Sequence, residues 1–384
     1  MLKKVVVLFG GDACEREISI ITGTFTCNLL RGGKYEVLPV YLDEKGCAYT
    51  SDSFFEVGAF KRKDCLKKAT RILIEEGTVY AMNEKNKRIK PVFDVEVALN
   101  CCHGGLGEGG GVSALMALND IPLASPDLTA SGVFIDKCAT KVAMRGLNIP
   151  VLEYIRVNEK DYQKRGAFLL KTIDSRLKFP VVVKPAHLGS SIGIAVAKNE
   201  SEAKTAIENA FIIDNRVIIE RYLEEKKDVN CAAYAAGGEI FVSEPETAFG
   251  EGVYSFEEKY IKRNADGVRG KGGNPTNQGG RCEVNGELSK ELRDKIRAYT
   301  KTIYKRMDLK GIVRMDFLVS KGKAYLCEVN TVPGSLAYYL FCERVSDAKR
   351  LFTAVIEEGI SAAQAEKKGL ITTGILDGVQ IKRK

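Results

Sequence analysis

Two β-rich segments near the C-terminal end most constrain the fold of this chain. GIVRMDFLV and KAYLCEVN place polar residues at every second position, a period of two that predicts neighbouring strands. Their polar faces carry Arg314 and Asp316 on one strand, and Glu328 and Asn330 on the other. Carboxylate and amide oxygens suit Mg²⁺ bound together with phosphate oxygens, and a guanidinium can stabilise an oxyanion. A surface ladder of salt bridges is the alternative, although Asn330 and the following TVPGS loop are unusual choices for a plain solvent face.

A lysine inside a third apolar strand points to a phosphate. FPVVVKP ends at Lys184 and Pro185, and HLGSSIGIAV then predicts a hairpin whose turn is rich in small residues. Backbone N–H groups and hydroxyls of such a turn can hold a polyphosphate, although no GxxxxGK[ST] motif is present. An exposed edge strand is the alternative explanation for Lys184. Glu220, near the end of the strand VIIERYL, is suited to the amino group of adenine.

Two glycine-rich turns follow predicted strands in the first third of the chain. GGDACEREIS places Glu15 at a helix start, where backbone N–H groups favour an anion. NCCHGGLGEGGGVS places His103 at a strand end, where ligands of open α/β sheets bind. A tight turn with an acidic first helical turn, and a glycine linker with an incidental histidine, are the respective alternatives.

The chain opens as β-turn-α-β, which predicts an open parallel sheet. Val92 to Cys102 is predicted as one strand and Asp127 to Leu147 as helical. Leu288 to Met307 has the spacing of an amphipathic helix. The polar, glycine-rich segment Gly250 to Arg281 is predicted to be a lid over a ligand site.

Composition indicates a globular cytoplasmic protein: 45% of the 384 residues are hydrophobic, and no apolar run reaches the length of a membrane span. The first apolar run reads as a strand rather than a signal peptide, because it stops at Gly-Gly-Asp. Eleven cysteines without a CxxC pair indicate reduced thiols, and two histidines disfavour a histidine-built metal site. The net charge of +8 is dispersed, which favours anionic small molecules over nucleic acid, and no membrane partner is expected.

Taken in order, these motifs resemble the D-alanine–D-alanine ligase family of ATP-grasp enzymes. The matching stretches run from about residue 3 to 360 and include GGDACEREIS, CHGGLGEGG, SGVFIDKCATK, FPVVVKPAHLGSSIG, VIIERYL, FEEKY, VRMDF and EVNTVPGS. The resemblance implies an α/β and α+β ATP-grasp fold with an N-terminal open parallel-sheet domain. It places that α/β domain at 1–124, a central lid domain at 125–223, and a C-terminal domain with the metal and substrate site at 224–384.

The resemblance also implies roles for individual residues. Glu15 would bind the first substrate's ammonium, Ser190 would link Glu15 to the lid residue Tyr260, and Arg314 would hold the oxyanion. The expected ATP contacts are Lys137, Lys184, Ser191, Glu220, Leu223, Asp228 and Lys259. The expected ligands of two Mg²⁺ ions, with Mn²⁺ as an alternative, are Asp316, Glu328 and Asn330. The expected substrate contacts are His103, Gly334, Ser335, Tyr339 and Leu340.

The reaction implied is ATP-dependent joining of two D-amino acids for peptidoglycan precursors, by a homodimer. Transfer of the γ-phosphoryl group to a carboxylate gives an acyl phosphate, which has a good leaving group. The amine of the second amino acid attacks it, and a closed lid excludes the water that would hydrolyse it.

Four departures from the family pattern cluster around the second substrate. Gly109 replaces an aspartate, Asp228 stands for the ribose-binding glutamate, and residues 264–281 are longer than the family's lid loop. Tyr339 takes the place of a serine that contacts the second substrate's carboxylate, with Ser335 nearby as a substitute. A ligase with another acceptor, such as D-serine or glycine, and a non-catalytic nucleotide-binding homologue therefore stand as alternatives.

Overall fold

A computed structural model describes residues 2–62, 64–83, 88–248, 282–284 and 288–366. Three β-sheets follow one another along this part of the chain, each with its own helices. The predicted residues Lys259 and Tyr260, and the predicted lid 250–281, lie outside the described residues. Within the described residues, no helix combines the length and the apolar character needed to cross a membrane.

The first sheet has seven strands in the order β6-β5-β4-β3-β2-β1-β7. Only β2-β1-β7 is parallel, which confirms the predicted parallel opening; the other strands form an antiparallel extension that was not predicted. Val5 to Phe9 of β1 are fully buried, as expected for a central strand covered on both faces. The strands are β1 (Lys3–Gly10), β2 (Tyr35–Leu42), β3 (Ala48–Thr50), β4 (Thr70–Glu75), β5 (Thr78–Asn83), β6 (Arg88–Asp94) and β7 (Val97–Asn100).

The single strand predicted from Val92 to Cys102 is wrong, because the chain bends between β6 and β7 and the two strands have different neighbours. The Val95 N–H donates to the Gly77 carbonyl and the Glu96 N–H to the Lys4 carbonyl. The bend therefore carries the chain from one edge of the sheet to the other. Two helices accompany this sheet, α1 (Arg16–Leu30) after the first turn and α2 (Val112–Leu118) after the glycine-rich loop.

The second sheet is a four-stranded antiparallel sheet in the order β10-β9-β11-β8. The predicted hairpin around Lys184 is present as β9 and β10, and β9 is an inner strand rather than an edge. Its elements are β8 (Tyr154–Asn158), α5 (Glu159–Leu177), β9 (Val181–Pro185), β10 (Ala195–Ala197), α6 (Glu200–Phe211) and β11 (Arg216–Arg221).

The third sheet has the order β15-β14-β12-β16-β17, with β13 paired to β12. Two helices flank it, α7 (Lys290–Arg306), close to the predicted amphipathic helix, and α8 (Val345–Glu366). Its strands are β12 (Lys227–Ala236), β13 (Glu239–Val242), β14 (Glu246–Ala248), β15 (Cys282–Val284), β16 (Val313–Ser320) and β17 (Lys323–Asn330).

The helix predicted from Asp127 to Leu147 is two helices, α3 (Leu128–Phe134) and α4 (Lys137–Gly146). They separate at Asp136, whose extended backbone and side chain cap α4 by accepting from Cys138 and Ala139 N–H groups. Phe134 of α3 and Met144 of α4 belong to the buried core under β16 and β17, so both helices pack against the third sheet.

Candidate active site

The polar face predicted on β16 and β17 is present. Arg314 pairs with Asn330 and Asp316 with Glu328 across the two antiparallel strands. Arg314 donates from Nε and Nη2 to the two Asp316 oxygens at 2.7 and 2.8 Å, and Asn330 Nδ2 donates to Asp316 Oδ2 at 3.0 Å. Burial disfavours the charged guanidinium, but Asp316 and Tyr339 outweigh it and hold the pKa of Arg314 above its ordinary value. This is a half-buried, hydrogen-bonded cluster and not an exposed ladder of salt bridges.

A β-bulge lies beside this cluster, because Phe317 pairs with Leu326 while Asp316 pairs with Glu328. The extra residue is Cys327, whose sulfur lies 3.7 Å from Lys184 Nζ. Bulges next to functional sites re-aim side chains, and here one brings the third sheet against the lysine of the second.

Glu220 joins two buried lysines. Its Oε1 lies 2.5 Å from Lys141 Nζ and its Oε2 lies 2.5 Å from Lys184 Nζ. Burial favours the protonated carboxyl, yet the two ammonium groups lower the pKa of Glu220 to about 2. The three charged groups near the predicted adenine position are therefore paired with one another before any ligand binds. Lys141 was not predicted, although it lies four residues after Lys137, on the same helical face.

Lys137 lies between the second and third sheets. Its Nζ donates to the Leu188 carbonyl at 2.5 Å and lies 3.9 Å from Glu328 Oε2. The turn after Leu188 contains Ser190 and Ser191, both with left-handed backbone at φ 50 and 60°. The predicted phosphate lysine and the small-residue turn are thus adjacent to a predicted metal ligand.

Glu15 connects the first sheet to the same turn, because Ser190 Oγ donates to Glu15 Oε1. Gly189 allows Glu15 to approach closely, because a Cβ at position 189 would lie 2.6 Å from Glu15 Oε2. A Cβ on Gly104 would lie 2.8 Å from the same oxygen. The glycines of the two turns therefore allow close approach to this carboxylate, and Ser190 contacts Glu15, which is one half of the link to Tyr260 that the resemblance implies.

Glu108 lies in the glycine-rich turn after β7, and no role was predicted for its carboxylate from the sequence. It accepts from the N–H groups of Gly104 at 2.7 Å and Val332 at 3.1 Å, and from the Thr331 hydroxyl at 3.2 Å. Burial raises the pKa of Glu108 to about 7. It ties the glycine-rich loop of the first sheet to the loop that follows β17.

His103 is buried, and its Nε2 lies 2.9 Å from the Thr22 hydroxyl on α1. Burial lowers the pKa of His103 to about 4, so the imidazole is neutral at pH 7. The same Thr22 oxygen accepts from the Ser335 N–H at 3.1 Å. The structure thus brings His103 and Ser335 together through Thr22.

Tyr339 takes a different position from Ser335. Its hydroxyl accepts from Arg314 Nη1 at 3.2 Å, so it lies beside the predicted oxyanion site. Gly334 and Leu340 begin and end the 3₁₀ turns that carry both residues.

Leu223 and Asp228 lie where the chain passes from the second sheet to the third. Leu223 follows β11 in the connection to β12, two residues past the end of the strand that carries Glu220. Asp228, on β12, pairs with Lys226 at 2.6 Å.

An oxygen-donor metal fits the residues present. Asp316, Glu328 and Asn330 offer two carboxylates and an amide, whereas the described residues contain no group of three or more His, Cys, Asp or Glu side chains that could hold a metal ion. Mg²⁺ is typically held by one or two carboxylates with substrate phosphates completing its shell. The donor set therefore suits Mg²⁺ that arrives with a nucleotide.

Comparison with known proteins agrees with this arrangement. Residues 4–126 match the family model described as the D-ala D-ala ligase N-terminus, and residues 143–361 match that of the C-terminus. A D-alanine–D-alanine ligase from Caldicellulosiruptor bescii is 30% identical over 370 residues, 94% of each chain.

Solved structures share the fold. The D-alanine–D-alanine ligase from Helicobacter pylori has a TM-score of 0.72 at 27% identity and covers 94% of this chain and 99% of its own. A D-Ala:D-Ser ligase from Enterococcus faecalis has a TM-score of 0.71 at 22% identity, with 94% and 100% covered, which shows the fold alone. The chain has the ATP-grasp fold and belongs to the D-ala D-ala ligase family of ATP-dependent ligases.

Proposed function

We propose that this protein is an ATP-dependent ligase that joins two D-amino acids, of the D-alanyl-D-alanine type, for peptidoglycan precursors. The observation that carries the proposal is the convergence of all three sheets on one site. Glu15, at the start of the helix after β1, meets Ser190 in the turn between β9 and β10, and Lys137 of α4 meets Glu328 of the third sheet. Glu15, which we propose binds the first substrate's ammonium, thus lies at the same site as the lysines and carboxylates suited to Mg-ATP.

The chain's own residues supply binding and orientation. We assign the phosphates to Lys137, Lys184 and the turn with Ser191, and the adenine to the neighbourhood of Glu220 and Leu223. Asp228 is then the ribose contact, since it is the second residue of the strand that follows. Mg²⁺, held by Asp316, Glu328 and Asn330, would neutralise charge on the phosphates during transfer of the γ-phosphoryl group.

Activation and coupling follow from positions near Arg314. Glu15 holds the first substrate's ammonium, so that its carboxylate faces the γ-phosphate. The resulting acyl phosphate is attacked by the second substrate's amine, and Arg314 Nη1 with the Gly334 N–H holds the oxyanion. We place neutral His103 near the first substrate's carboxylate. From the sequence resemblance we assign Lys259 to ATP binding and Tyr260 to closure of the site.

A ligase with a different second substrate is the other candidate function. The specific observation is that the Tyr339 hydroxyl already bonds to Arg314, where the family resemblance places a serine for the acceptor's carboxylate. A tyrosine there narrows the acceptor site and favours a small acceptor such as D-alanine, D-serine or glycine. Ser335 and the Leu340 backbone are the remaining groups proposed for that carboxylate.

We also propose three domains, a cytoplasmic location and a homodimer. One sheet falls within each of the ranges 1–124, 125–223 and 224–384, which supports the division. The packing of α3 and α4 on the third sheet favours assigning 125–149 to the third unit. Ten cysteines of the described residues are free thiols, which supports a reducing compartment.

The decisive experiment measures ADP release with Mg-ATP and one amino acid at a time, followed by identification of the dipeptide. ADP release with D-alanine but not L-alanine supports the proposal. Release that requires D-alanine plus D-serine or glycine supports the other acceptor. No turnover with any amino acid, in protein that binds ATP, would contradict a ligase and favour a nucleotide-binding homologue.

A further inference from the structure

His187 begins the turn that carries Ser190 and Ser191, and it lies between two carboxylates. Its Nδ1 lies 2.8 Å from Asp214 Oδ1, and its N–H donates to Asp214 Oδ2 at 2.8 Å. On the other side, its Nε2 lies 3.6 Å from Asp136 Oδ2. The imidazole therefore bridges the start of α4 and the segment that enters β11.

Both carboxylates are themselves held. Asp136 caps α4 through Cys138 and Ala139 N–H groups and accepts from the Arg216 guanidinium. Asp214 accepts from the Arg216 N–H at 3.1 Å. The charged groups that face His187 are thus Asp136 from α4, and Asp214 and Arg216 from the chain entering β11. The formal charges of His187 and these three groups sum to zero when the imidazole is charged, and to −1 when it is neutral.

The bridge supports the backbone of the predicted phosphate turn. The Ala186 carbonyl accepts from the Lys137 backbone N–H at 3.0 Å, and the Ala186 N–H donates to the Arg216 backbone carbonyl at 3.0 Å. Lys137 Nζ donates to the Leu188 carbonyl, two residues further along the chain. His187 lies between these two anchored residues, so its side chain fixes where the turn leaves the sheet.

We propose that His187 is a positioning residue for the nucleotide, because its bridge between Asp136 and Asp214 holds the Leu188–Ser191 turn against the start of α4. This inference rests on the proposed function, in which that turn and Lys137 bind the phosphates of ATP. The bridge requires a charged imidazole to satisfy two carboxylates. The neighbouring carboxylates of Asp136 and Asp214 raise the pKa of His187 to about 9, so the imidazole is charged and the bridge is intact at neutral pH.

The sign of the pH dependence follows. The charged form persists below the pKa and is lost as pH rises through about 9. ATP affinity of the wild type is therefore expected to be level from pH 7 to 8 and to fall above about pH 9. A His187→Arg variant keeps its charge throughout, so its affinity is expected to stay level across the same range. Asp214→Asn removes one carboxylate and shifts the fall to lower pH.

The test is calorimetric binding of a non-hydrolysable ATP analogue, with constant Mg²⁺, at pH 7 to 10. His187→Asn is expected to weaken binding about tenfold at pH 7, the size of one charge-assisted hydrogen bond, and to flatten the profile. In steady-state assays at pH 7.5 the effect is expected in KM for ATP rather than in kcat. Melting temperatures at pH 7 identify any variant that fails to fold.

Unchanged affinity in folded His187→Asn, or the same fall above pH 9 in wild type and His187→Arg, would overturn the inference. If His187→Asn does not fold, the shift in Asp214→Asn decides the question: a profile identical to wild type overturns it. Failure of the wild type to bind the analogue at pH 7.5, or to turn over D-alanine, would instead refute the proposed function.

Discussion

Replacement of Lys141 by methionine is expected to destabilise the protein even though no role was predicted for Lys141 from the sequence. Lys141 is 1% exposed, and its ammonium shares Glu220 with Lys184. Methionine keeps most of the volume and removes the charge. One buried carboxylate would then be neutralised by a single lysine instead of two.

The magnitude follows from the pKa of Glu220, which is lowered from 4.5 to about 2. A shift of that size corresponds to about 3 kcal/mol of stability, and two lysines share it. Loss of one removes roughly half, and the residual carboxylate is left less well solvated, so about 2 kcal/mol is expected. The stability due to Glu220 is present above about pH 4.5 and is lost as pH falls through about 2.

The assay is thermal unfolding at pH 7.5, where 2 kcal/mol corresponds to a decrease of about 2 to 3 °C for a chain of this length. Lys204→Met on α6 is the matched control, because that lysine is exposed and the same substitution there is expected to change Tm by less than about 1 °C. The double variant Lys141→Met with Glu220→Gln is expected to lose less than the sum of the two single variants, since no unpaired carboxylate remains.

Two results would refute this reasoning. If Lys141→Met melts at the same temperature as Lys204→Met, the lysine contributes no net stability at Glu220. If the double variant loses the full sum, the two side chains act independently and the short contact has no energetic coupling.

Three further predictions concern turnover. Lys184→Ala and Glu328→Ala are each expected to lower ADP release by about 10²-fold or more, because both lie in the proposed nucleotide site; near-normal release by either would contradict the assignment. Ser335→Ala is expected to raise KM for the acceptor about tenfold while leaving ATP binding unchanged, and an unchanged acceptor KM would place that carboxylate elsewhere. Tyr339→Ser is expected to widen the range of acceptors used, as measured with D-alanine and larger D-amino acids, and an unchanged range would argue against Tyr339 as a wall of the acceptor site.

The site was predictable from sequence where its geometry is local. Alternation within a strand places Arg314 and Asp316 on one face, and the antiparallel register then opposes them to Asn330 and Glu328. The strand that carries Lys184 was likewise recognisable from its apolar run and the turn after it. In each case residues a few positions apart contain the whole signal.

Contacts between distant residues were not predictable in the same way. Glu108 bonds to Thr331 and Val332, more than two hundred residues later, and Lys141 finds Glu220 on another element. Neither pair leaves a periodic pattern. The boundary between β6 and β7 was missed for a related reason: no glycine or proline separates the two apolar runs, and only the choice of partner strand distinguishes them.

Backbone conformation was the other feature hidden from the sequence. Ser335, Leu336 and Ala337 have φ of 51, 50 and 47°, and the serines 190 and 191 have φ of 50 and 60°. Left-handed conformations cost non-glycine residues about 1 kcal/mol or more each, and no turn rule predicts three in succession without glycine. Strain of this kind persists only where the surroundings fix it.

The surroundings of the loop after Pro333 supply that fixation. Leu336 is 6% exposed and Tyr338 is fully buried, with the Tyr338 ring stacked on Phe25 of α1 at 5.1 Å between centroids. The Ser335 N–H is held by Thr22 of the same helix. Burial of side chains of this size is worth about 2 kcal/mol each, enough to offset the backbone cost. Because Tyr339 follows directly, the docking of this strained turn on α1 determines where its hydroxyl meets Arg314. Helix α1 therefore shapes the proposed acceptor side of the site, next to the Arg314–Asp316 cluster on the third sheet.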